Sequence, residues 1–190
     1  MNVGGPARQV IELCRGLDSR GFETILATGE SESWEGDLRE SALRAGIRVV
    51  TIPGLAAPLQ SMGDARALIA LAALIRRERP SIVHTHTAKA GVLGRLAAKA
   101  AGTLRLVHTF HGTVFENYFS PFKSRWIVRV ERFLARRTDR IVAVSHSVAD
   151  ELEAAGFPQD RIRVIEPVID LSPYLSQKRR DGGLRAEFGI

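Results

Sequence analysis

Residues 81–112 read SIVHTHTAKAGVLGRLAAKAAGTLRLVHTFHG, and this stretch decides the fold. Ile, Val and Thr dominate 82–86 (IVHTH), a run of strand length. Residues 89–101 then place Val92, Leu93, Leu96, Ala97 and Ala100 on one stripe at helical spacing, and Gly102 stands where the helix must stop. A second run follows at 104–110 (LRLVHTF). No two-residue turn joins the two runs, so they do not form a hairpin. Strand, helix and strand in that order predict two parallel strands linked by a helical crossover.

The same alternation extends in both directions. Further strands are expected at 23–28 (ETILAT), 47–52 (IRVVTI), 140–145 (RIVAVS) and 162–165 (IRVI). Further helices are expected at 6–20, 34–45, 64–79, 121–137 and 146–155. Gly21, Gly46 and Gly156 each follow a periodic run, and Pro80 ends the helix before the quoted stretch. The fold class is therefore α/β: a Rossmann-like, mostly parallel sheet with helices on both faces. The 190 residues suit one such domain and are too few for two. The domain is expected to occupy 1–170, with 171–190 as a linker, because 176–183 (SQKRRDGG) is polar, charged and closed by paired glycines. The chain opens on Asn2-Val3-Gly4-Gly5-Pro6, a glycine turn that in doubly wound sheets follows the first strand.

Hydrophobic residues at 45% support a packed core, and 27 Lys+Arg against 21 Asp+Glu leave a net charge of +6. That balance suits phosphate-bearing partners without selecting one. Cys14 is the single cysteine, which excludes an intrachain disulfide and a cysteine-rich metal site. No apolar run approaches the roughly 18 residues of a membrane span, and no leader pattern is present. The expectation is a cytoplasmic protein, with peripheral contact at the inner face of a membrane left open.

In open parallel sheets ligands bind beyond the carboxyl ends of the strands. All five histidines fall at such ends: His84 and His86, His108 and His111, and His146. His84 and His86, two residues apart on a strand, share a face. His84 reads as packing, and for His86 site and packing are both open. His108, inside its strand, reads as structural. His111 stands beyond its strand beside Gly112, where backbone can approach a ligand, and reads as a site residue. His146 belongs to an exposed first turn capped by Ser145. Lys89, in a helix's first turn, opposes the helix dipole unless an anion is near, so phosphate or carboxylate contact and an ordinary surface lysine both stand. Gly4 and Gly5 are able to present backbone N–H groups to a phosphate. Phe115, Tyr118, Phe119, Phe122 and Trp126 cluster after His111, and a basic helix follows, with Lys123, Arg125, Arg129, Arg132, Arg136 and Arg137. It is either a solvated face or a surface for an anionic bilayer.

These pieces, in this order, resemble the N-terminal domain of glycosyltransferase family 4, in the GT-B fold. The resemblance rests on NVGGPARQVIEL, SIVHTHTAKAGVLGRLAA, LVHTFHGTVFENYFSP, VERFLARRTDRIVAVS and RIRVI with DLSPY, and runs across essentially the whole chain. It implies retaining transfer of a sugar from a nucleotide diphosphate sugar to an acceptor hydroxyl, usually without a metal and with no further cofactor. It implies that Gly4-Gly5 closes over the donor phosphates and that His111 lines the reaction centre. The acceptor is then expected at His86, Thr87, Lys89, Glu116 and Ser145, with no nucleic-acid partner. The family's first strand and its donor-binding second domain have no counterpart in this sequence, so the 190 residues alone are expected to be inactive and the donor domain missing or supplied elsewhere. The interdomain motif reads Glu166-Pro167-Val168-Ile169-Asp170, without its usual glycine. The competing readings are a GT-B sugar-nucleotide epimerase fragment, a His-ligated metal-dependent hydrolase and a charge-driven nucleic-acid-binding module.

Overall fold

The computed structural model describes residues 4–29, 37–55, 61–103, 105–112, 121–167 and 175, with the side chains of 61 and 121–124 outside the description. Strands and helices alternate throughout: α1 (Gly5–Asp18), β1 (Ile25–Thr28), α2 (Arg39–Arg44), β2 (Arg48–Thr51), α3 (Ser61–Glu78), β3 (Ile82–His86), α4 (Ala88–Ala101), β4 (Arg105–Phe110), α5 (Pro121–Ala135), β5 (Arg140–Ala143), α6 (His146–Ala154), a 3-10 turn (Gln159–Arg161) and β6 (Ile162–Val164). Every ladder among the described residues is parallel. The strands form two blocks, β1-β2 and β3-β4-β5-β6. The doubly wound order 3-2-1-4-5-6, with its first strand left out, likewise separates a two-stranded block from the strands that follow, three in that order and four here.

Each expected strand and helix is present, and the differences are at the ends. The second helix begins at Arg39 rather than 34, because the Asp37 carboxylate accepts the Arg39 backbone N–H at 2.9 Å and turns the chain there. The fifth strand stops at Ala143, since Ser145 leaves the sheet to cap α6, its hydroxyl accepting the Val148 N–H at 3.2 Å. Gly21, Gly46, Gly102 and Gly156 all adopt positive φ, as helix exits require. Of the expected linker at 171–190, all but Leu175 lies outside the described residues.

Three apolar clusters hold the layers. Ile11, Cys14, Leu26, Ala42 and Ile47 join α1 and α2 to the small block. Phe110, Ala135, Ile141, Val148, Leu152, Phe157 and Ile162 join α5 and α6 to the large one. Between them, Ile52, Ala67, Leu71, Ile75, Ala97 and Leu106 bridge the blocks through α3 and α4, with Ala27 and Val50 packed against them. Arg48, at the start of β2, adds a two-pronged ion pair to Glu78, at the end of α3, at 2.9 and 2.8 Å.

Candidate active site

The register of β3 on β4, with Thr85 opposite His108 and His86 opposite Thr109, sorts the polar side chains onto two faces. Thr85 and His108 are on one. Both are buried, and the Thr85 hydroxyl and His108 Nδ1 lie 2.8 Å apart. Helix α4 covers this face at close range: a Cβ on Gly91 would collide with the His108 ring, and one on Gly94 would meet Thr85 Cγ2 at 2.7 Å. Two glycines three apart inside a helix are thus a packing signature. His108 is a buried packing residue, as its place inside the strand suggests.

His84, His86 and Thr109 occupy the other face. The His84 and His86 rings are 4.3 Å apart, and His84 Nε2 lies 2.8 Å from the Thr109 hydroxyl. His111, one residue beyond β4, brings its Nε2 to 3.0 Å from His86 Nδ1. The three imidazoles therefore form a row leading to the strand ends. Burial holds His84 down to about 4 and His86 to about 2, with neighbouring imidazoles adding to it. Burial lowers His111 as well. All three are neutral at neutral pH. Two neutral imidazoles in contact share one proton, so the tautomers of His86 and His111 are tied: if His86 donates, the outer Nδ1 of His111 carries hydrogen, and if His111 donates, Nδ1 is bare.

The remaining candidates surround this row to different degrees. Thr87 connects β3 to α4 with φ 63 and ψ 164, a backbone region nearly confined to glycine, and its carbonyl accepts the Gly91 N–H at 2.9 Å. Lys89 finds its anion inside the protein, pairing through Nζ with the Asp64 carboxylate in the first turn of α3 at 2.5 Å. Asp64 was not legible as its partner, being distant in sequence and on an ordinary helix start. Ser145 follows β5, whose Ala143 lies opposite Phe110, so it stands at the same sheet edge as His111. Gly4 caps α1 in extended backbone with Gly5 and Pro6 in its first turn, and a Cβ on Gly5 would meet nothing within 4 Å. Glu116 lies outside the described residues, as do Phe115, Tyr118 and Phe119. Among the described residues, no three His, Cys, Asp or Glu side chains are placed to hold a metal ion.

Behind α4, Arg95 and Glu131 form an ion pair that pattern reading did not find. Arg95 Nη2 lies 2.6 Å from Glu131 Oε2, with side-chain exposures of 1% and 4%. Arg95 Nε also donates to the Gly91 carbonyl at 2.9 Å, tying the pair to the turn that carries Lys89.

The Glycosyltransferase Family 4 profile matches residues 3–173. The chain belongs to glycosyltransferase family 4. This family-4 chain is 35% identical over 132 residues to the UDP-Gal:alpha-D-GlcNAc-diphosphoundecaprenol alpha-1,3-galactosyltransferase of Escherichia coli, covering 67% of the chain and 33% of that enzyme. Its fold matches Anabaena Alr3699/HepE, solved in complex with UDP and glucose, at TM-score 0.71 and 21% identity, over 98% of the chain and 47% of that protein. It also matches a UDP-N-acetylglucosamine 2-epimerase from Rickettsia bellii at TM-score 0.61 and 16% identity, over 96% of the chain and 48% of that protein. The family-4 chain thus spans between a third and a half of these proteins, and its structural likeness is to the N-terminal half of the GT-B fold. No helix among the described residues is long and apolar enough to cross a membrane.

Proposed function

We propose that the chain is the acceptor-side half of a retaining glycosyltransferase, moving a sugar from a nucleotide diphosphate sugar to a hydroxyl of a glycan, lipid-linked or small-molecule acceptor. What supports this reading is the His86–His111 pair at the ends of adjacent strands, on a family-4 chain whose E. coli relative is named for a diphosphoundecaprenol-linked acceptor. In this reading the acceptor hydroxyl lies against His111, flanked by Thr87 and Ser145, with Lys89 and Glu116 at its margin. The acceptor oxygen bonds to the anomeric carbon as the bond to the leaving phosphate breaks, and the proton passes to that phosphate. His111 acts as a neutral hydrogen-bonding group at the reaction centre, and His86 fixes which of its nitrogens carries the proton. The α1 turn at Gly4 and Gly5 offers backbone N–H groups to the donor phosphates.

Catalysis requires donor and acceptor held together, and in this reading the donor is held by residues beyond these 190. Two expectations follow for purified protein given UDP-sugars and an undecaprenyl diphosphate-linked GlcNAc acceptor. The 190 residues alone turn over no donor, and fusion to a GT-B donor-binding half restores transfer that His111→Ala reduces at least about 100-fold. Turnover by the isolated chain would defeat the assignment of the donor to a second domain. Epimerised UDP-sugar formed without acceptor would instead make it an epimerase, and stoichiometric zinc or iron would make it a hydrolase.

A further inference from the structure

Helix α5 presents a face that the sugar-transfer reading leaves unused. Trp126 is 62% exposed and Phe133 51%, and with Val130 they form one stripe at i, i+4 and i+7. Leu96 of α4, 39% exposed, lies beside it, and together with Arg129 and Leu134 these residues line an open groove of about 350 Å³. The neighbouring stripe carries Arg125, Arg129, Arg132 and Arg136 at i, i+4, i+7 and i+11. Arg137 lies over the Phe133 ring at 3.7 Å. Between 125 and 137 there is a single carboxylate, Glu131, and it is on the opposite side of the helix, 3% exposed against Arg95.

We infer that this face docks the protein on an anionic lipid bilayer, with Trp126 and Phe133 entering the headgroup boundary and the arginine stripe meeting lipid phosphates. A solvated helix face accounts for the arginines but not for two aromatic rings more than half exposed beside Leu96. A second copy of the chain is a poor occupant, because a two-fold contact would set one arginine stripe beside another with no exposed carboxylate on the helix to answer it. An anionic bilayer satisfies both stripes, since tryptophan favours the membrane–water boundary and arginine stems cover apolar surface while their heads reach phosphate. This inference does not depend on the identity of donor or acceptor, and its test reads binding rather than transfer.

The test is co-sedimentation of the 190-residue protein with vesicles of phosphatidylcholine alone and of equal parts phosphatidylcholine and phosphatidylglycerol. The Trp34→Phe background leaves Trp126 as the sole tryptophan, excited selectively at the red edge of its absorption. Binding to the mixed vesicles only, a blue shift of Trp126 emission, and quenching by lipids brominated near the headgroup are expected. Trp126→Ser/Phe133→Ser and Arg125→Gln/Arg129→Gln/Arg132→Gln/Arg136→Gln should each lower the partition constant more than about tenfold. The quenching experiment needs no substitution on this face, so it holds even if a variant folds poorly. Absence of binding to the mixed vesicles, unquenched Trp126, or aromatic variants that bind like the parent would each overturn the inference. Preference for a DNA duplex over the vesicles would overturn it in favour of nucleic acid.

Discussion

His84 and His86 are held neutral by their surroundings, and this has a measurable cost. An unfolded histidine titrates near pH ~6.5. Burial holds His84 at about 4 and His86 at about 2 in the fold. Below pH ~6.5 the unfolded chain therefore binds protons that the folded chain refuses, and stability falls by about 1.4 kcal/mol per pH unit for each ring that stays neutral. Above about pH 7 both states hold these rings neutral and the slope vanishes. Urea midpoints should drop between about pH 7 and about pH 5, and His86→Gln should flatten that drop. A midpoint indifferent to pH over this range would mean that the rings are hydrated. Sequence order alone brought the histidines to the strand ends, because alternation along β3 and β4 sets which end and which face each one takes. Sequence could not reveal that His86 and His111 touch, since the register between strands is settled by packing beyond either strand.

At the scale of elements, α4 is fixed from both sides. Gly91 and Gly94 let it approach β3 and β4 closely, and Arg95 ties it to α5 through Glu131. Burial pushes Glu131 up and the Arg95 guanidinium only partly offsets this, which marks the pair as a costly arrangement whose partners depend on one another. Among the described residues Arg95 Nη1 finds no hydrogen-bond partner, which adds to that cost. Glu131→Gln leaves a buried cation without its counter-charge and should destabilise by about 3–5 kcal/mol. Arg95→Met/Glu131→Leu should lose much less than the sum of the two single changes, as urea unfolding of all four proteins would show. Additive losses would mean that the two residues act separately. The helix itself was plain from its apolar stripe, whereas the pair was not. An arginine and a glutamate 36 residues apart look like surface charges until two helices close over them.

For the whole molecule, the two-block sheet divides stability unevenly. Among the described residues the large block has four strands and three continuous ladders, while β1 and β2 have a single ladder and the small cluster around Ile11 and Leu26. Two strands alone are marginal, so this block depends on α3 and α4 for its attachment and should open at lower free energy than the rest. Amides of β1 and β2 should exchange faster under native conditions than those of β4 and β5. Equal protection in both blocks would show that they open as one.

The buried Cys14 acquires a use from this arrangement. It is the chain's sole thiol, it belongs to the core of the small block, and burial pushes its thiol up and away from the reactive thiolate. A thiol reagent therefore meets it only when that block parts, and labelling becomes a clock for local opening that needs no engineered probe. In the Trp34→Phe protein its rate should rise at urea concentrations where Trp126 emission has not yet changed.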